Sequence, residues 1–451
     1  MKAVSVHTLA LAAKSASRVL ASLGEEPRNA ALEAMAVAIE RAQKNLLAAN
    51  AQDLLVAAKL LAAGQLSSAS VERLKLDEGK IAEMASQVRA VAALPDPLGR
   101  TLAATELDDA DPQPAGKAKP VGLQLQKLSV PLGVLAVIFE ARPDAVTQIA
   151  SLALKSGNAV ILKPGKEVER TAAALVKVLR SVLVAEGLPE DAVSLVTGRE
   201  RVAELLTETA LVDLVIPRGS KALVDYVRAN THIPVLGHAE GVCHIYVDRK
   251  VDTELALRVI EDAKCDYPAA CNSVETVLVH HDIARKFLPL LMTRLKARGV
   301  VVHASAATRE VMLEAGDSTP MAAIEDWHTE YGELAVSVGV VDSLAAAIEH
   351  IHTHGSSHTE SILTEDAVAA EQFLREVDVA GVFHNASTRF ADGFRYGFGA
   401  EVGVSTSKFH ARGPVGLDGL TTYKYVLRGR GHVAGDYRGK GARAFTHRVK
   451  I

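Results

Sequence analysis

The sequence predicts an α/β protein built on parallel sheets, and two observations carry that expectation. Apolar runs such as Gly133-Val134-Leu135-Ala136-Val137-Ile138-Phe139 are continuous rather than alternating, as strands covered on both faces require. Such runs recur with helix-period segments between them, and repeated strand–helix units of this length imply a parallel sheet with helices on both faces. Ligands in sheets of this kind bind at the carboxyl ends of the strands.

In chain order, residues 5 to about 97 are rich in Ala, Leu, Glu and Lys at helical spacing, as in Ala31-Leu32-Glu33-Ala34-Met35-Ala36-Val37-Ala38-Ile39-Glu40, and predict several long helices. Pro95, Pro97 and then Asp108-Asp109-Ala110-Asp111-Pro112-Gln113-Pro114 break the pattern and mark a surface connection. From Val121 the period changes, and Gly122-Leu123-Gln124-Leu125-Gln126-Lys127-Leu128-Ser129-Val130 alternates like a half-exposed strand. Ala159-Val160-Ile161-Leu162 precedes a helix from about 168 to 186. Val193-Ser194-Leu195-Val196 precedes a short helix near 200, and Leu211-Val212-Asp213-Leu214-Val215-Ile216 leads to a helix starting near Ser220. A second α/β block runs from near Gly241 to about 400, and the tail from Gly413, rich in Gly, Arg and Lys, reads as loops and exposed strands.

Composition narrows the function. With 451 residues, 49% hydrophobic, 23% charged and a net charge of −4, the chain reads as a soluble globular protein with a large core. Basic and acidic residues balance along most of the chain, so no nucleic-acid partner is expected. No apolar run reaches the roughly 18 residues that span a bilayer. Met1-Lys2-Ala3-Val4-Ser5-Val6-His7 leads into an amphipathic helix rather than a secretory leader, so a cytoplasmic protein without a membrane partner is expected. Three cysteines, Cys243, Cys265 and Cys271, are an odd, sparse set suited to a reducing compartment.

The segment Asp266-Tyr267-Pro268-Ala269-Ala270-Cys271-Asn272-Ser273-Val274-Glu275-Thr276 sets one cysteine between a proline turn and a β-branched strand signal. A thiol reacts as its thiolate, and partly exposed loop positions where backbone N–H groups converge favour that form. A buried cysteine acting as a small hydrophobe is the plainer alternative. Neither a strand-linked G-x-G-x-x-G nor G-x-x-x-x-G-K-[ST] is present. Two other segments suit an anion: Leu162-Lys163-Pro164-Gly165-Lys166 after one strand, and Ile216-Pro217-Arg218-Gly219-Ser220-Lys221 opening a helix. Ordinary turns with solvated charges are the alternative for each.

Together these pieces resemble the aldehyde dehydrogenase superfamily. Its pattern is matched, in order, by Pro131-Leu132-Gly133-Val134, by Gly157-Asn158-Ala159-Val160-Ile161-Leu162-Lys163-Pro164, by Gly219-Ser220 and by Cys271. Within the superfamily the strings FEARPD at 139–144, IPRGS at 216–220, HAEGVCHIYVD at 238–248, DYPAACNSVET at 266–276, GSSHTE at 355–360 and STSKFHARGPVGLDGLTTYKY at 405–425 resemble the γ-glutamyl phosphate reductase family. That resemblance covers essentially the whole chain. It implies NADPH-dependent reduction of L-glutamyl 5-phosphate to L-glutamate 5-semialdehyde with release of phosphate, in proline biosynthesis. It also implies a homo-oligomer, functional coupling to a glutamate 5-kinase, and three parts. These are an NADP-binding domain with N-terminal helices (1–117 and 133–240), a catalytic domain (241–400) and a β oligomerisation extension (118–132 and 413–451).

The resemblance makes Cys271 the nucleophile that forms a thioester, while Cys243, in a strand run, and Cys265, at a helix end, read as core positions. The superfamily's usual oxyanion asparagine is missing after the first buried strand, where Phe139-Glu140-Ala141-Arg142-Pro143-Asp144 stands. Backbone N–H groups at Cys271, or Arg142 or Asn272, are the expected substitutes. The water-activating glutamate of hydrolytic relatives is also absent from Val235-Leu236-Gly237-His238-Ala239-Glu240-Gly241, although Glu240 lies close by. Lys166 occupies the position where NAD-preferring relatives carry an acid, so a 2′-phosphate is favoured. By the same resemblance Lys163 and Lys166 are assigned to the adenosine ribose, Ser220 to the pyrophosphate, Gly219 beside it to cofactor binding, and Glu330 to the nicotinamide ribose. Lys408 and Arg412 are candidate substrate anchors, with a solvated tail or a subunit contact as the alternative. The cluster His350, His352, His354 and His358 lacks a complete ligand motif, and no metal is expected. An enzyme of the same fold acting on another acyl donor, such as a coenzyme A thioester, and a non-catalytic homologue are the rival readings.

Overall fold

The computed structural model describes residues 4–108, 122–237, 240–317 and 319–451. Residues 109–121, which include most of the Asp108–Pro114 connection and the start of the expected β extension, lie outside the described residues, as do His238, Ala239 and Ser318. The chain divides into two compact units. One comprises Met1–Ile216, Asn230–Val235 and Gly416–Ile451; the other comprises Pro217–Ala229 and Leu236–Val415. The segment after Ile216 thus groups with the later block, and the end of the tail groups with the first unit.

The first unit opens with helices Val6–Leu20, Glu25–Arg41, Gln43–Ala62, Ser68–Leu74 and Glu78–Ala92. Strands β1 (Thr101–Glu106), β2 (Gln124–Pro131), β3 (Val134–Phe139), β4 (Ala159–Pro164), β5 (Val193–Leu195) and β6 (Leu214–Arg218) follow. β4 pairs in parallel with β3 and with β5, and the sheet order is β5-β4-β3-β6. Every residue of β3 and β4 is buried, which is why both read as unbroken apolar runs.

Polar contacts fix the helices on this sheet. The buried Lys155 ammonium, at the end of helix Ala145–Lys155, donates to Glu25 (2.9 Å), Asn29 (2.8 Å) and the Ala92 carbonyl (3.0 Å). Asp53, from the third helix, accepts from the Thr171 N–H at 2.7 Å and so satisfies the first turn of helix Glu169–Ala185. Asn158 of the Gly-Asn motif accepts from the Gly133 N–H (2.7 Å) and donates to the Leu420 carbonyl (2.8 Å), which ties the start of β3 to the tail.

In the second unit, β7 (Cys243–Val247), β8 (Val274–His280), β9 (Val301–Ala304), β10 (Ala322–Ala323), β11 (Ala335–Val341), β12 (Thr359–Leu363) and β13 (Gly381–His384) form one parallel sheet of order β10-β9-β11-β8-β7-β12-β13. The two-residue period of a strand divides its side chains between two cores. Ile245, Val247, Val277 and Val279 pack with helices Thr253–Cys265 and His281–Ala297 through Ile260, Phe287 and Leu291. Tyr246 and Leu278, on the other face, pack with Ile348, Ile351 and Phe373 of helices Leu344–His354 and Ala367–Glu376. β14 (Val404–Ser405) and β15 (Gly413–Pro414) make a short antiparallel pair.

The tail adds β16 (Thr421–Arg428) and β17 (Arg448–Val449) to an antiparallel sheet in the first unit, of order β16-β2-β1-β17. β1 was not expected from the sequence. Its Thr-Leu-Ala-Ala-Thr-Glu carries little β propensity of its own, and its partners lie elsewhere in the chain, one of them at the C-terminal end.

Candidate active site

Asp252 caps helix Thr253–Cys265 by accepting from the Leu255 N–H, and that helix runs directly into the turn that carries Cys271. Within the turn Ala270 N–H donates to Tyr267 O (3.1 Å) and Ser273 N–H to Ala270 O (2.9 Å), after which β8 begins. Cys271 is partly exposed, whereas Cys243 is buried. Gly241 backs the turn so closely that a Cβ there would lie 2.0 Å from the Cys271 carbonyl oxygen and 2.6 Å from its Cα, so no larger residue fits without displacing the cysteine. The Cys243 thiol donates to that same carbonyl at 3.4 Å.

Two arginines brace the turn at both ends. The Asn272 amide donates to the carbonyls of Ala391 (2.9 Å) and Arg389 (3.5 Å), and its oxygen accepts from the Arg389 guanidinium. Its side chain is therefore engaged in bracing rather than free to donate to an oxyanion. Arg389 and Arg395 each donate to Asp266 at 3.1 Å, and together they hold its carboxyl below the usual carboxylate range, Arg395 contributing most. Arg395 also donates to the Arg389 carbonyl at 2.6 Å.

The same unit buries polar pairs that the sequence did not reveal. Lys264 and Glu275 are fully buried and 2.8 Å apart; burial pushes the Glu275 carboxyl up to about 7 against the pull of Lys264. His244 Nδ1 is 3.0 Å from Glu360, both fully buried; burial pushes the imidazole down to about 3 and the carboxyl up, which favours a neutral pair. Burial raises both other thiols as well, Cys243 far above its ordinary value and Cys265 less so. Of the expected histidine cluster, His350 packs edge-on against Trp327 (4.5 Å between centroids) and beside His354 (4.6 Å), while His358 Nδ1 lies 2.9 Å from Thr359 Oγ1. Among the described residues no group of three or more His, Cys, Asp or Glu is arranged to hold a metal ion.

The other expected residues fall as follows. Lys163 is 5% exposed and donates to the Pro164 carbonyl at 2.6 Å; burial lowers its pKa, while Glu169, Glu167, Glu200 and Glu140 pull it back up. Lys166 is exposed just beyond β4. Gly219 and Ser220 are exposed between β6 and helix Lys221–Ala229, and the Ser220 carbonyl accepts the first helical bonds from Leu223 (3.0 Å) and Val224 (3.1 Å). Arg142, half-buried, follows Ala141, whose φ of 47° is strained for a residue with a Cβ and whose N–H donates to Glu167 at 2.6 Å. Glu240 is paired with Lys221 at 3.0 Å. Glu330 is exposed on the loop before β11. Lys408 and Arg412 come together, but on Asp378, whose carboxyl they lower to about 2, Lys408 more strongly than Arg412.

Sequence reasoning missed Gly241, Lys264, Glu275, Arg389 and Arg395. Gly241 and Glu275 lie inside the matched strings, but only contacts in the folded unit give them a role.

The family model described as the aldehyde dehydrogenase family matches residues 1–309, and with the two parallel sheets and the cysteine turn it sets the class, an aldehyde-dehydrogenase oxidoreductase. The γ-glutamyl phosphate reductase of Synechococcus sp. (strain JA-3-3Ab) is 51% identical over 441 residues, covering 97% of this chain and 93% of that one. The enzyme of the same name from Natronomonas pharaonis is 49% identical over 436 residues, covering 97% and 96%. The crystal structure of γ-glutamyl phosphate reductase from Thermotoga maritima matches with a TM-score of 0.86 at 38% identity, covering 95% of this chain and 99% of that one. The chain belongs to the γ-glutamyl phosphate reductase family.

Proposed function

We propose that this chain reduces L-glutamyl 5-phosphate to L-glutamate 5-semialdehyde with NADPH and releases phosphate, as a cytoplasmic step of proline biosynthesis. The observation that carries the reading is the braced turn presenting Cys271, in a chain 51% identical over 97% of its length to a γ-glutamyl phosphate reductase. The Cys271 thiolate attacks the acyl phosphate carbonyl, the carbon–oxygen bond to phosphate breaks with its electron pair leaving on phosphate, and a thioester remains. Splitting the reaction at a covalent intermediate makes each half easier. Burial of Cys243 and the raised thiols of Cys243 and Cys265 support Cys271 as the nucleophile.

Cations and a helix start at the carboxyl ends of the first sheet's strands fit a dinucleotide phosphate. In this reading Lys163 and Lys166 hold the adenosine ribose and its 2′-phosphate, Gly219 and Ser220 the pyrophosphate, and Glu330 the nicotinamide ribose. NADPH, when bound, supplies the hydride. Arg142 and backbone N–H groups at Cys271 steady the oxyanion. Glu240, engaged by Lys221, is kept from activating water, which protects the thioester. Lys408 or Arg412 binds the substrate carboxylate by exchanging Asp378 for it. The acyl phosphate is supplied by a glutamate 5-kinase, and the chain works as a homo-oligomer.

The test is NADPH formation from glutamate 5-semialdehyde and NADP, with and without phosphate. Wild-type protein should need phosphate, and Cys271→Ala should be inactive while melting like the wild type. Phosphate-independent turnover, or full turnover in Cys271→Ala, would sink the reading, and turnover with coenzyme A in place of phosphate would redirect it to another acyl donor.

A further inference from the structure

The turn that carries Cys271 is bracketed by two fully buried ions. Lys264 sits in the last turn of helix Thr253–Cys265, Glu275 is the second residue of β8, and their charged groups are 2.8 Å apart. A buried ion pair is a weak source of stability, because desolvating both charges offsets much of their attraction, and apolar residues of similar size often hold a fold as well. Apolar residues cannot grip a backbone, however, and these two do. Glu275 Oε1 accepts from the Gly332 N–H, and Lys264 Nζ donates to the Glu333 carbonyl, each at 3.4 Å. Next along this loop, Tyr331 is held through its hydroxyl by Ser337 Oγ at 2.9 Å and stacks on His303 at 4.8 Å. Glu330 stands exposed beside these three anchored residues.

We propose that Lys264 and Glu275 are positioning residues that register the Glu330 loop to the Cys271 turn, so that the cofactor's ribose contact and the nucleophile are set by one buried pair. This rests on the ribose role proposed above for Glu330. The pair touches neither reactant and acts through the backbone of 332–333.

The test compares Lys264→Met/Glu275→Leu, Lys264→Met/Glu275→Gln and Glu330→Ala with the wild type. NADP binding is followed by the fluorescence of Trp327, the one tryptophan of the chain, three residues from Glu330. Iodoacetamide alkylation of Cys271 and thermal melting are followed in parallel. Removing both charges together avoids stranding one of them in the core. Lys264→Met/Glu275→Leu should melt close to the wild type, alkylate at the wild-type rate and bind NADP about tenfold more weakly. Lys264→Met/Glu275→Gln, which keeps an acceptor for the Gly332 N–H, should recover part of that loss. Weakened binding in Glu330→Ala with wild-type binding in both paired variants overturns the role of the pair alone. Wild-type binding in Glu330→Ala overturns the ribose role of Glu330, and the pair's role with it. Melting lowered in step with binding in both paired variants also overturns the proposal, since a purely structural pair behaves that way.

Discussion

The two parallel sheets carry their candidate chemistry at opposite ends. In the first, Arg142, Lys163, Lys166, Gly219 and Ser220 lie at or beyond the carboxyl ends of β3, β4 and β6. In the second, Gly241, Cys271, Glu330 and His358 all precede strands, at the amino ends of β7, β8, β11 and β12. The carboxyl end feeds into helix starts, whose N–H groups favour anions without further help. The amino end is fed by helix C-termini, such as that of Thr253–Cys265, where the backbone dipole is negative. The turn that carries Cys271 is held there by side chains instead: Arg389 grips Asn272, Arg389 and Arg395 grip Asp266, and Lys264 pairs with Glu275. The difference teaches that the first sheet sets Lys166, Gly219 and Ser220 on exposed turns, while the second holds Cys271 in a turn braced by side-chain hydrogen bonds.

The sharpest way to break this contrast is Gly241→Ala. Its methyl would overlap the Cys271 carbonyl, so the turn must shift, and kcat should fall by about a hundredfold or more with a lowered melting temperature. Near-normal kcat would mean the turn is not rigid. Arg389→Ala comes next. Loss of the brace to Asn272 and Asp266 should lower kcat and the alkylation rate of Cys271 by about tenfold, with Arg389→Lys intermediate because it lacks the fork. Equal loss of NADP binding in Arg389→Ala would show that the two ends are not separable.

On the other side of the comparison, Lys166→Glu should leave Cys271 alkylation untouched and shift the ratio of kcat/KM for NADPH over NADH by about tenfold toward NADH, since the exposed cation proposed to meet the 2′-phosphate becomes an anion. An unchanged ratio would remove Lys166 from the ribose. The smallest effect concerns stability. Burial, followed by His244, His354 and His328, lowers His350 to about 3 from 6.5, so between those values the unfolded chain binds a proton that the folded chain refuses. Stability is therefore lost as pH falls from 6.5 toward 3, and His350→Phe should flatten that loss by up to one proton in denaturant titrations across this range. An unaltered slope would place the imidazole in solvent.

How far the site could be read in advance depended on distance along the chain. The strands β3 and β4 declare themselves by six consecutive buried positions each, and Cys271 by its own turn. Arg389 meets Asn272 across 117 residues, and nothing in the local sequence of either residue announces the other. Lys408 and Arg412 read as open cations because Asp378, which pairs with both, lies 30 and 34 residues upstream.

By itself the sequence determined the parallel α/β class and the family and singled out Cys271 as the candidate nucleophile, because apolar periodicity and a contiguous motif are local properties that survive in one dimension. Only the tertiary structure decided what holds Cys271 in place. The clearance between Gly241 and Cys271, the arginine brace and the buried Lys264–Glu275 pair depend on atoms brought within a few ångströms by the folding of the second sheet.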